Sequence, residues 1–142
     1  MTVLAPDTSI PNSIPYWAQT EAAKRWTLDN LGRWNWFRPE DPGTRPGFHM
    51  LAESPSPVAM GHADGVVTIS VAEADEVVRT TRRQALQEPY RTMMGHMRHE
   101  IAHMLWWRLS LRADFLDAFR SMFGDERRDY RKHPARDAVM RP

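Results

Sequence analysis

The strongest constraint in the chain is the run from Met94 to Trp106, whose apolar pattern is that of a helix. Tyr90, Met93, Met94, Met97, Ile101, Met104 and Leu105 recur at spacings of three and four and form one apolar stripe. Pro89 suits the first helical position, where a missing N–H costs nothing. His99 and His103 then stand one above the other beside that stripe. His99-Glu100-Ile101-Ala102-His103 is a His-Glu-x-x-His pattern, with two imidazoles in reach of one metal ion and Glu100 near it as a proton acceptor. The competing reading is a helix with two histidines satisfied at the edge of the core and a surface glutamate. The helical setting favours the metal.

Composition narrows the chemistry around that helix. A length of 142 residues suits one domain with a genuine core. Hydrophobic residues at 42% and charged residues at 26% are those of a soluble globular protein. A formal net charge of +1 gives no electrostatic reason to expect nucleic acid or a membrane as partner. With no cysteine, any metal is held by His, Asp and Glu, which favours an open, catalytic type of site. No apolar run approaches a membrane span, and the N-terminus lacks a basic region followed by an apolar core, so the expected address is the cytoplasm.

Along the chain, 1–15 reads as an irregular arm with Pro6, Pro11 and Pro15. A first helix is expected from about Tyr16 to Leu31, stopped by Gly32, with Trp17, Ala22, Trp26 and Leu31 along one side. Trp34, Trp36 and Phe37 could stack on a sugar or nucleobase, but with no basic cluster around them they read as core packing or a covered patch. Phe48 to Ala52 and Val58 to Ala63 are expected strands. Asp64-Gly65 signals a tight turn into Val66–Val71, where Val67, Ile69 and Val71 share one face. Ala72 to Gln87 returns to helix, with Ala74, Val77, Val78 and Ala85 as a thin apolar face. Its charges, Glu73, Asp75, Glu76, Arg79, Arg82 and Arg83, read as a solvated face. After the signature helix, Ala113 to Phe123 forms another, closed by Gly124. Asp125 to Lys132 adds a short turn, and 133–142 is expected to be disordered.

Two histidines do not complete a catalytic zinc site, which ordinarily has three protein ligands and a water. A third histidine six residues after His103 is absent, because Leu109 stands there and Trp106 replaces the expected glycine. His96 lies on the same face but about 10 Å along the axis from His103, too far to share the ion, though able to act as a supporting donor. The remaining candidates are carboxylates of a following helix, Asp125, Glu126 and Asp129, each of which could equally cap a helix or face solvent.

Several separated motifs, in order, resemble one family. They are Gly61-His62-Ala63-Asp64-Gly65-Val66-Val67-Thr68-Ile69 with Glu73-Ala74-Asp75, and Glu88-Pro89-Tyr90-Arg91-Thr92 before Gly95-His96-Met97-Arg98-His99-Glu100-Ile101-Ala102-His103. Phe123-Gly124-Asp125-Glu126-Arg127 and Asp129-Tyr130 follow. Together, from about Ala22 to Tyr130, they are similar to the bacterial putative zinc-binding metallopeptidase family. The resemblance implies an α+β, zincin-like fold: a small antiparallel or mixed sheet packed on a long metal-ligand helix with flanking helices. It also implies that the strand after Asp64-Gly65 borders the cleft and pairs with an extended peptide.

Family members commonly begin with a cysteine-rich zinc ribbon, continue into a glutamate-rich helical region that looks like the source of the third ligand, and carry glycine where Ala102 stands here. The expected organisation is therefore an arm over 1–15, a zincin-like domain over 16–132 that is incomplete at its C-terminus, and a tail over 133–142. The expected function is zinc-dependent hydrolysis of a peptide or protein substrate. His99 and His103 would bind zinc and Glu100 would take a proton from the zinc-activated water; His96 or His62 could donate to the oxyanion, though each reads first as structural. The alternative is an inactive, truncated relative acting as an interaction module, associating with itself through an exposed Trp/Met surface.

Overall fold

Alternation in Val66–Val71 places the centre of the sheet, and the computed structural model builds the fold around it. The structure describes residues 3–54, 56–86 and 92–128. Pro89 and Tyr90, expected near the start of the signature helix, and 129–142, expected to hold a last helical turn and a tail, lie outside those residues. The chain divides into two compact units, 1–109 and 110–142.

In the first unit, β1 (Val3–Leu4), β2 (Gly47–Leu51), β3 (Gly61–Ala63) and β4 (Val66–Ser70) form a mixed sheet in the order β1-β2-β4-β3. β2 pairs in parallel with both β1 and β4, and β3 pairs antiparallel with β4. The register sets Phe48 opposite Val67 and Met50 opposite Ile69. All four are fully buried with Val71, because residues two apart on a strand share a face. Four helices complete an α+β fold: α1 (Ser13–Arg33), α2 (Glu76–Leu86), α3 (Met93–Ser110) and, in the second unit, α4 (Phe115–Phe123). No helix among the described residues is long and apolar enough to cross a membrane.

The strand after Asp64-Gly65 is not an edge. β4 is hydrogen-bonded on one side to β2 and on the other to β3, so no backbone row is left for a peptide. The hairpin itself is as expected: Asp64 (φ 46°) and Gly65 (φ 83°) both take left-handed conformations between Ala63 and Val66, as a two-residue turn matched to strand twist requires. Gly65 also has no room for a side chain. A Cβ there would stand 3.1 Å from the Trp107 ring and 3.3 Å from Thr44. Gly32, by contrast, has open space around the missing Cβ inside a helix. Gly65→Ala is therefore expected to cost about 1–3 kcal/mol, while Gly32→Ala gains up to about 1 kcal/mol. Denaturant unfolding of the two variants side by side checks both signs.

α1 begins earlier than expected, at Ser13, with Pro15 in the first turn where its missing N–H loses no hydrogen bond. Its buried face is Ser13, Thr20, Ala23, Lys24 and Thr27. Ala22 and Trp26, expected inside, are exposed. The apolar pattern misleads because Thr20, Lys24 and Thr27 are buried as polar groups satisfied locally. Thr20 and Thr27 donate to the carbonyls of Tyr16 and Ala23, each at 2.9 Å, and Lys24 binds Glu21 while lying over the Phe48 ring.

The expected helix over 72–87 is split. Val71–Ala74 forms a single tight 3₁₀ turn, and Asp75 then caps α2, accepting from the N–H groups of Val77 (2.8 Å) and Val78 (3.1 Å). The same carboxylate accepts the Tyr16 hydroxyl from α1. The charges are not simply a solvated face, for Glu73 is wholly buried while Val77 is 75% exposed. Arg82 bridges Glu73 (2.7 Å) and Glu53 (2.6 Å), and Ser70 donates to Glu53 at 2.6 Å. The end of β4, the tight turn and α2 are thus joined by one ionic network.

Trp36 and Phe37 flank the Arg108 guanidinium of α3, with ring centres 5.5 and 5.3 Å away. Asp41 accepts from Arg108 and from the N–H groups of Phe37 and Gly43. The aromatic group is packing in this loop, except that Trp34 remains 79% exposed. In the second unit, Phe115, Phe119 and Phe123 stack at successive helical turns with centroids 5.9 and 4.9 Å apart, and Gly124 (φ 85°) ends α4.

Candidate metal centre and cleft

α3 buries Met93, Met97, Glu100, Ile101 and Met104, the stripe expected from its spacing with one carboxylate added to it. Glu100 is only 9% exposed. On a helix of 3.6 residues per turn it lies between the core face and the flank bearing His103 and Trp107, while His99 sits further towards solvent. Thr92 steadies the start of the helix by accepting the Gly95 N–H at 2.9 Å.

The two imidazoles converge. Their Nε2 atoms are 3.0 Å apart and the rings meet nearly edge to face. Neutral imidazoles so placed share a proton or turn towards a common cation. Two zinc–nitrogen bonds of about 2.0 Å at a tetrahedral angle span about 3.3 Å, so this pair fits the ion that its sequence pattern suggests. Among the described residues no group of three or more His, Asp or Glu side chains is placed to hold a metal. Of the expected third ligands, Asp125 is engaged by Arg127 (2.8 Å) and Glu126 by Arg120 (2.5 Å). Hydrogen bonds from those arginines hold both carboxyls below their ordinary range. Asp129 lies outside the described residues.

Beside the histidines an open cleft of about 390 Å³ is lined by Met60, Gly61, His62, Glu100, His103, Trp106 and Trp107. Its floor is α3, and one wall is β3, an edge strand of the sheet among the described residues. Trp107 joins the two: its ring lies 5.6 Å from that of His62 and packs over Gly65. The absence of a side chain at Gly65 therefore sets how closely the hairpin approaches α3.

Two further histidines behave differently. His96 is not among the residues lining the cleft; its Nε2 lies 3.6 Å from the buried Glu73 carboxylate, which brings α3 beside the ionic network one turn before His99. His62 accepts the Gly65 N–H at Nε2, 3.0 Å. Burial, reinforced by the nearby His103, pushes the His62 imidazole below its ordinary value, so it is neutral at pH 7. The pairing of Glu73 with His96 and the docking of Trp107 on the turn leave no local signature in the sequence. The His62–Gly65 bond does have one, a histidine three residues ahead of a hairpin glycine.

Comparison with known proteins gives the chain a family. A family model described as "Putative zinc-binding metallo-peptidase" matches residues 13–137. The chain belongs to that family. It is 35% identical over 134 residues to the uncharacterized protein Mb2598c of Mycobacterium bovis and likewise to the uncharacterized protein Rv2568c of Mycobacterium tuberculosis. In both comparisons the match takes in 92% of this chain and 39% of the relative, so the chain spans about two-fifths of the length of those proteins. No solved structure matches it.

Proposed function

We propose that this chain carries the core of a zincin-like, zinc-dependent peptidase site, with His99 and His103 as metal ligands and Glu100 as general base. The observation that carries the reading is the pair of Nε2 atoms 3.0 Å apart on α3, one residue from a buried carboxylate and beside a cleft walled by a sheet edge. Zinc, when bound, supplies a Lewis acid that makes water more acidic and withdraws charge from a carbonyl oxygen. Its third protein ligand is a group outside the described residues, since no three His, Asp or Glu side chains among them are placed to hold a metal.

The chain's own residues do the remaining work. β3 offers main-chain groups to an extended peptide, laying it across the cleft at Gly61 and His62. Glu100 takes one proton from the attacking water as its oxygen bonds to the scissile carbonyl carbon and the carbonyl π pair moves onto oxygen. Collapse restores the C=O, the C–N bond breaks, and Glu100 delivers its proton to the departing amine nitrogen. Glu100 suits this role because it is nearly buried on α3 yet lines the cleft beside His103.

The test is the zinc content of protein purified without chelator. Wild type is expected to hold about one zinc per chain and His99→Ala to lose it. No zinc in either protein, even after added metal, removes the peptidase reading. It would leave an interaction module, which the 79% exposure of Trp34 then favours.

A further inference from the structure

We propose that His62 is a fixed hydrogen-bond donor of the cleft, giving its Nδ1–H to the carbonyl oxygen of a bound peptide as negative charge grows there. The inference rests on the peptidase reading above and assigns within it a residue outside the metal-binding helix.

The argument begins with the tautomer. Nε2 of His62 accepts the Gly65 backbone N–H at 3.0 Å, and a nitrogen that accepts carries no proton. The neutral ring therefore holds its single proton on Nδ1. The Gly65 amide is itself held rigidly, in a turn whose two residues both have positive φ. Trp107 fixes the other side of the ring at a centroid distance of 5.6 Å. Among the described residues Nδ1 has no hydrogen-bond partner, and it is not one of the polar atoms sealed from solvent. A donor so constrained costs little reorganisation when charge develops.

The same tautomer excludes other roles. A metal ligand or a general base needs a free lone pair, and the one lone pair of His62 is spent on Gly65. Donation is what remains, and no proton leaves the ring during the reaction. His62 stands on the strand that would carry the peptide and lines the same cleft as Glu100, so donor and base act from two different elements.

The experiment uses the zinc-loaded full chain, the fastest-cleaved member of a fluorogenic peptide set, and the phosphinic analogue of that peptide as a tetrahedral mimic. His62→Phe is expected to keep its zinc, to lower kcat about 10²-fold with KM nearly unchanged, and to weaken phosphinate binding by a similar factor. His62→Gln, which can still accept from Gly65 and donate, is expected to recover part of both losses. Nitrogen-15 NMR of the wild-type imidazoles reads the tautomer without any variant and is expected to show Nδ1 protonated and Nε2 bare. The inference is overturned by an Nε2-protonated ring, by loss of zinc in His62→Phe, or by kcat and phosphinate affinity within about threefold of wild type, too little for a lost donor. A wild-type chain that holds zinc yet neither cleaves peptide nor binds the phosphinate overturns the peptidase reading itself, and the inference with it.

Discussion

The Glu100→Gln variant is expected to retain its zinc and to lose about 10³-fold in peptide hydrolysis, the range of a missing general base. The substitution keeps the size and hydrogen-bonding length of the side chain, and removes only its ability to take a proton. It is informative here because Glu100 is 9% exposed, at the boundary between the core face of α3 and the cleft. Metal analysis, steady-state kinetics and a melting curve on the same preparation separate the effects. Lost activity with zinc and melting temperature intact assigns the proton transfer to Glu100. Hydrolysis unchanged would mean that the carboxylate only packs.

Removing the Arg82 guanidinium is expected to be the largest single loss of stability. Arg82→Met should cost about 3–5 kcal/mol, because it leaves two carboxylates in a partly buried site without their shared cation. One of them, Glu73, is wholly buried. The pH dependence gives this prediction a second signature. Burial pushes the Glu53 carboxyl up, but hydrogen bonds from Arg82 and Ser70 outweigh burial and hold it below its ordinary value. A carboxyl depressed by folding contributes stability above its unfolded pKa of about 4.3, lost as pH falls through the lower folded value. Wild type should therefore weaken in acid. In Arg82→Met that contribution is gone, and protonating a carboxylate relieves repulsion, so the gap between the proteins should be widest near neutrality and narrow towards about pH 4. Urea unfolding at several pH values measures it. A uniform gap would mean that Arg82 contributes by packing alone.

The network matters for the site because His96, 3.6 Å from Glu73, lies on α3 one turn before His99. It brings α3 beside the turn that follows β4. Trp107 attaches the same helix to the hairpin turn at its other end. Between the two contacts lie His99, Glu100 and His103. The helix bearing the imidazoles is thus packed against its neighbours at two points along its length.

Local physics made much of this legible in the amino-acid order. A spacing of three and four put Met93, Met97, Ile101 and Met104 on one face of α3. Alternation buried Val67, Ile69 and Val71, and Asp64-Gly65 had to turn. His99 and His103 meet because four residues make about one helical turn, a consequence of helix geometry that needs no tertiary contact. Contacts between distant segments were not legible. Which strand was the edge depended on pairing: β2 joins β4 in parallel, which places β3, not β4, at the margin beside the cleft. The inner face of α1 went unread because Thr20, Lys24 and Thr27 are buried as polar groups satisfied by neighbours, whereas an apolar pattern reports only burial driven by hydrophobicity. Glu73 looked like one charge in a solvated run until Arg82, nine residues on, and Glu53, from before β3, enclosed it in the fold. The order of residues determined which groups could act as ligand, base and turn. Only tertiary structure decided which of them share a cleft, because burial and pairing depend on segments far apart in the chain.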